Sequence, residues 1–226
     1  MNAYEIIAST AKELFREVMG TSRPTRICLP PSVSKSSTVA VDILVIDVSI
    51  SMDLDDYPPS RLVAAKRAAT RFLETTAENS PEALAGIVAF AGEATLVSVP
   101  TPAKQNLENL RHRLDSLSTA NATNISAGLA LAQRELQKFG RPPKRIVLLT
   151  DGDSNTGADP VATASGIKSS GIQLDIIGIG GSPREVNEKD LRRMASVVRG
   201  ELRYWFVESV GELARKFEAL ALREIK

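Results

Sequence analysis

Cysteine and histidine are almost missing from this sequence: Cys28 and His112 are its single examples of each in 226 residues. An internal disulfide is therefore excluded. A zinc site built from about four nitrogen or sulfur ligands is excluded with it. Any metal must be held by oxygen. Aromatic residues are also scarce, at 4%, which leaves little material for base-stacking platforms. No sign of charge dominates, since Lys+Arg number 28 and Asp+Glu 27, for a net charge of +1. Such a chain has no global field to gather nucleic acid or an anionic membrane. No apolar run approaches the ~18 residues of a membrane span. The charged start, MNAYEIIASTAKELFREVMG, is no signal-peptide core. The expectation is a cytoplasmic protein that takes neither nucleic acid nor membrane as partner.

What is present is an ordinary globular composition, with 43% hydrophobic residues. A chain of this length buries about 70% of its unfolded surface and needs no staples. Ala3, Ile7, Ala11, Leu14 and Val18 recur at helical spacing, and Gly20 supplies a stop. This amphipathic helix either packs on the main body or docks a partner. Residues 21–39 are rich in Pro and Ser and read as a linker, with Arg26–Leu29 as a short edge strand. The chain thus divides into a helix and linker over 1–39 and a folded domain over 40–226.

From residue 40, strand-length apolar runs alternate with amphipathic stretches. The runs are Val41–Ile46, Leu84–Phe90, Arg145–Thr150, Leu174–Ile179 and Tyr204–Val207. The helical stretches are Arg61–Glu78, Ala103–Leu117, Ile125–Phe139, Pro160–Ser170, Glu188–Val197 and Val210–Ala221. Strands without polar alternation are buried on both faces, as in parallel sheets under helices. The pattern predicts an α/β fold with a doubly wound, mostly parallel sheet and helices on both faces. One hairpin interrupts it. Leu84–Phe90 and Thr95–Val99 are separated by Ala91-Gly92-Glu93-Ala94, too short for a parallel crossover. One antiparallel edge strand is expected there.

In such folds ligands sit at the carboxyl ends of the strands. The first strand runs into Asp47-Val48-Ser49-Ile50-Ser51-Met52. The strand Ile146–Leu149 runs into Thr150-Asp151-Gly152-Asp153. A third loop, Ala122-Thr123-Asn124, opens the helix at Ile125. Together these offer two carboxylates and three hydroxyls at one sheet edge. Such hard oxygen donors suit Mg2+, with Mn2+ or Ca2+ as alternatives. Neutral hydroxyls as direct ligands leave a cation under-neutralised and able to accept a carboxylate from another molecule.

The residues Asp47, Ser49 and Ser51 of DVSIS, Thr123 of ATNISAGL and Asp151 of LLTDGD resemble the metal-ion-dependent adhesion site of a von Willebrand factor A domain. The likeness runs from about residue 40 to 222, through the hairpin, the IIGIG strand end and the late RYWFV strand. It implies a six-stranded sheet in the order 3-2-1-4-5-6, with strand 3 antiparallel. It also implies that Ser49, Ser51 and Thr123 bind the metal directly, with Asp47 and Asp151 acting directly or through water. The implied function is a non-enzymatic interaction module that grips an acidic residue of a partner protein. By family analogy the partner is an AAA+ ATPase or a regulatory kinase or phosphatase. A bacterial, free-standing adaptor is the expectation. Ile50 departs from the Gly that many bacterial members carry. The run Asp53-Leu54-Asp55-Asp56 faintly resembles a second-metal site but is out of register, and a solvated acidic loop is the commoner reading.

Plainer readings exist for several residues. Asp153 and Asn155 read as turn residues, His112 as part of a solvated face and Trp205 as sheet core. Gly178–Ser182 lacks the Lys and spacing of a phosphate loop. The alternative function is a phosphotransferase or phosphatase with Asp47 as nucleophile. That chemistry usually has a second aspartate where this chain has Ser49. A third reading is a structural subunit whose site is a relic.

Overall fold

A computed structural model describes residues 39–152, 154–182, 185–223 and 225. The amphipathic helix, the linker up to residue 38, the short strand at Arg26–Leu29, Cys28 and the turn residue Asp153 lie outside the described residues.

Five strands alternate with helices as the apolar runs predict. β1 is Val41–Asp47, β2 Leu84–Phe90, β3 Ala94–Pro102, β4 Lys144–Thr150 and β5 Gln173–Ile179. A two-stranded hairpin, β6 (Val197–Val198) and β7 (Glu201–Leu202), precedes β8 (Tyr204–Val207). The helices are α1 (Arg61–Asn79), α2 (Ala103–Asp115), α3 (Ile125–Gln137), α4 (Pro160–Ser169), α5 (Glu188–Met194) and α6 (Val210–Ala221). The main sheet has six strands in the order β3-β2-β1-β4-β5-β8. Every neighbouring pair is parallel except β2 with β3. Both the strand order and the antiparallel edge match the expectation.

The helices cover both faces because each central strand is apolar on both. In β1, Leu44 and Ile46 face the core built with α1, α2 and α6. Val41, Ile43 and Val45 face the core built with α3, α4 and α5. Successive side chains of a strand point to opposite faces, so one continuous apolar run serves two cores. Each such side chain, fully buried, contributes about 1.5–3 kcal/mol. Phe72 of α1 meets Phe217 of α6 edge to face, with centroids 6.2 Å apart. Gly128 of α3 lets that helix approach β2 closely, since a Cβ there would lie 2.9 Å from the Phe90 ring.

Charged residues inside the strands pair with one another at the amino-terminal end of the sheet. Arg145 donates from Nε and Nη2 to the two carboxylate oxygens of Asp42, at 2.8 and 3.0 Å, and from Nη1 to the Leu220 carbonyl at 2.7 Å. Its guanidinium also covers the Phe72 ring. Arg203 clasps Asp175 at 2.9 and 3.0 Å, and Arg145 lies 3.8 Å from the same carboxylate. All four residues are buried. The ladder runs from β1 through β4 and β5 to the residue before β8.

Two expectations need correction. The helix read over Glu188–Val197 stops at Met194. Beyond it the Ser196 hydroxyl accepts from the Leu174 N–H at 2.8 Å, and the chain turns into β6–β7 through Arg199 and Gly200, both with positive φ. Trp205 is half-buried rather than core, with Arg203, Lys216 and Arg223 all within 6 Å of its ring.

Candidate metal centre

β1 and β4 lie side by side, so Asp47 and Thr150–Asp151 reach the same edge. Asp47 is fully buried, and both its oxygens are engaged. Oδ1 accepts from the Ser49 N–H at 2.8 Å, which closes the turn leaving the strand. Oδ2 accepts from the Thr150 hydroxyl at 2.6 Å. Burial, and then the neighbouring Asp151 carboxylate, push the Asp47 carboxyl up to about 7.

After that turn the chain enters a single 3-10 turn over Ile50–Asp53. The turn aims two hydroxyls at one point. Ser49 Oγ and Ser51 Oγ are 3.1 Å apart, and Ser51 Oγ donates to Asp151 Oδ1 at 3.0 Å. The other oxygen of Asp151 accepts from Arg61 Nη1 at 3.0 Å. Burial raises the Asp151 carboxyl above its ordinary range, against the opposing pull of Ser51 and Arg61.

Thr123 arrives by backbone ties rather than by a side-chain bond to the other four residues. Ala120 N–H donates to the Val48 carbonyl at 2.8 Å, and Ser49 bridges Ala120. Ala122 then takes φ 67, a turn that L-residues adopt at a cost of about 1–2 kcal/mol. Asn155 brackets Thr123: its side-chain oxygen accepts from Thr123 N, and its own N–H donates to the Thr123 carbonyl, both at 2.9 Å. Asn124 caps α3 through the Ala127 N–H at 3.0 Å, which leaves the Thr123 hydroxyl free of capping duty.

These oxygens suit a small hard cation. Adjacent corners of an Mg2+ octahedron lie about 3.0 Å apart when metal–oxygen distances are about 2.1 Å. Ser49 Oγ to Ser51 Oγ, at 3.1 Å, and Ser51 Oγ to Asp151 Oδ1, at 3.0 Å, have that spacing. Among the described residues no three His, Cys, Asp or Glu side chains group to hold a metal. A cation at this edge would therefore depend on the hydroxyls. The acidic run does not supply a second cluster: Asp53 accepts from the Thr119 hydroxyl at 2.7 Å, and Asp56 is bound to Arg61.

Residues 43–154 match the family model of the von Willebrand factor type A domain. The chain carries a von Willebrand factor type A domain. A solved von Willebrand factor type A structure from Catenulispora acidiphila is 26% identical, with a TM-score of 0.69, over 81% of this chain and 42% of that one. An aerotolerance-related membrane protein from Bacteroides fragilis, solved with multiple mutations to serines, is also 26% identical, with a TM-score of 0.64, over 80% of this chain and 96% of that one. A "UPF0353 protein" of Mycolicibacterium paratuberculosis is 33% identical over 187 residues, which is 72% of this chain and 54% of the relative. The chain thus spans about half the length of the curated relatives it matches. A domains are typically non-enzymatic interaction modules and commonly bind a divalent ion. Among the described residues no helix is long and apolar enough to cross a membrane.

Four residues around the A-domain site escape a reading of the sequence. Thr150 orients Asp47, Asn155 brackets Thr123, and Arg61 and Glu185 tie Asp151 to two further loops. Asn155 does more than turn the chain. One signal could have found Arg61: a cation at the first position of a helix opposes the helix dipole. The loop at Gly178–Ser182 spends its Gly181 N–H and Ser182 hydroxyl on Glu185, at 3.1 and 3.3 Å.

Proposed function

We propose that the A domain is a non-enzymatic protein-interaction module whose Asp47, Ser49, Ser51, Thr123 and Asp151 hold Mg2+, or Mn2+ in its place. When bound, the ion supplies a Lewis-acidic position for a carboxylate oxygen of a partner's Asp or Glu. The observation that carries this reading is the pair of oxygen spacings at Ser51, 3.1 Å to Ser49 and 3.0 Å to Asp151. Ser49 and Ser51 bring neutral oxygens to that point, and Arg61 offsets the charge of Asp151. The pocket therefore leaves positive charge on a bound cation. Ile50 is 62% exposed and Leu54 51%, so apolar surface flanks the acidic-residue position. By family analogy the partner is an AAA+ ATPase or a regulatory kinase or phosphatase, met in the cytoplasm.

The buried position of Asp47, with both oxygens hydrogen-bonded and its carboxyl pushed up to about 7, argues against a nucleophile. Isothermal calorimetry with Mg2+ on the wild type and on Asp151→Ala tests the metal site. Heat from the wild type alone is the expected result, and equal heats would overturn it. Capture of partners with and without chelator tests the rest: an undiminished catch in chelator would remove the metal from the interaction.

A further inference from the structure

Arg61 is the first residue of α1, and its side chain is 4% exposed. A guanidinium there faces the positive end of the helix dipole and gives up its hydration, so the position is doubly unfavourable unless carboxylates compensate. Three do. Nε and Nη2 clasp Asp56 at 2.8 and 2.5 Å, Nη2 reaches Glu185 at 2.8 Å, and Nη1 reaches Asp151 at 3.0 Å.

The three pairs are not equivalent. Asp56 and Glu185 are 30% and 46% exposed, so water screens them, whereas the Asp151 side chain is 1% exposed. Coulombic interaction is strongest where water is excluded. The Arg61 charge therefore acts most fully on Asp151. That carboxylate is divided between two tasks: Oδ2 belongs to Arg61, and Oδ1 points to the Ser51 hydroxyl.

We propose that Arg61 is a positioning and charge-balancing residue that lowers the site's affinity for a cation alone, so that tight cation binding requires a carboxylate from a partner. This rests on the metal-site reading above. Asp47 and Asp151 bring at most two negative charges to the cation position, and Arg61 offsets part of one. The charge left on a bound divalent ion is what an acidic side chain complements. Binding of cation and carboxylate is then reciprocal, each raising the affinity for the other. Asp56 and Glu185 hold the guanidinium in place from the solvent side and temper its charge.

The test is Mn2+ binding to the whole chain, followed by calorimetry and by the resonance signal of free Mn2+, in chloride and in acetate as the carboxylate probe. Circular dichroism monitors the fold of each variant. The wild type should bind Mn2+ more tightly in acetate than in chloride. Arg61→Gln should tighten binding in chloride by about tenfold, the scale on which a nearby charge moves such an equilibrium, and acetate should then add little. Arg61→Lys keeps the charge and should stay close to the wild type. Asp56→Asn leaves the guanidinium less compensated and should weaken binding several-fold. A folded Arg61→Gln with unchanged or weaker binding overturns the proposal, because a merely structural role would loosen the site. If Arg61→Gln does not fold, Asp56→Asn decides, and unchanged or tighter binding overturns the proposal. If the wild type binds no Mn2+ in either salt, the metal-site reading fails first and takes this proposal with it.

Discussion

Ser51 donates a hydrogen bond to Asp151 across 3.0 Å, joining the loop after β1 to the end of β4, although 100 residues separate them in the chain. The parallel pairing of β1 with β4 makes this contact available. It sets the spacing of the oxygens on which the functional reading rests.

Ser51→Ala removes one of those oxygens and leaves the core untouched. Mg2+ should raise the melting temperature of the wild type, because a ligand that binds only the folded state stabilises it. The rise should be largely lost in Ser51→Ala. Differential scanning fluorimetry across an Mg2+ titration measures it, and an equal rise in both proteins would contradict the site.

Asp47 makes stability fall with pH in the metal-free protein. Burial pushes its carboxyl up to about 7 in the fold from an ordinary aspartate value of about 3.8. Between these values the folded state keeps a proton that the unfolded state has released. Its contribution is complete below about 3.8 and is lost as pH rises through about 7. Asp47→Asn should flatten this component, and urea unfolding at several pH values compares the two proteins. Mg2+ affinity should move the other way and strengthen as pH rises towards 7, because the cation competes with that proton.

Arg145 anchors the buried ladder at the other end of the sheet. Arg145→Leu leaves Asp42 without its partner and removes the cation beside Asp175. Losing one member of a buried pair costs about 3–5 kcal/mol. Urea denaturation should show a loss of that size, and a change below about 1 kcal/mol would mean that the ladder contributes little.

Ile50 tests the rim of the site separately from its floor. It is 62% exposed, so Ile50→Ser should leave folding and the Mg2+-induced thermal shift unchanged. Capture of a metal-dependent partner should weaken. Unchanged capture would place the partner's contacts elsewhere.

Gly128→Ala places a Cβ 2.9 Å from the Phe90 ring. Neither α3 nor β2 can retreat without opening the second core, and forced overpacking costs about 1–3 kcal/mol. The melting temperature should drop accordingly.

The sequence by itself determined the order and type of the main elements, because helical and strand periodicities are local properties of the chain. It also determined the chemistry of the site. With one Cys and one His, only Asp47, Ser49, Ser51, Thr123 and Asp151 at the strand ends offered a coherent donor set. Tertiary structure alone decided the rest. Asp42 with Arg145, Asp175 with Arg203, and Arg61 with Asp151 pair across 28 to 103 residues. No local pattern marks which charge meets which, because strand order and helix docking set those distances. Burial then decides how each charge behaves. The same residue type lies exposed to water at Asp55 and fully buried at Asp47, where the carboxyl is pushed up to about 7, since only the folded sheet excludes water from the second.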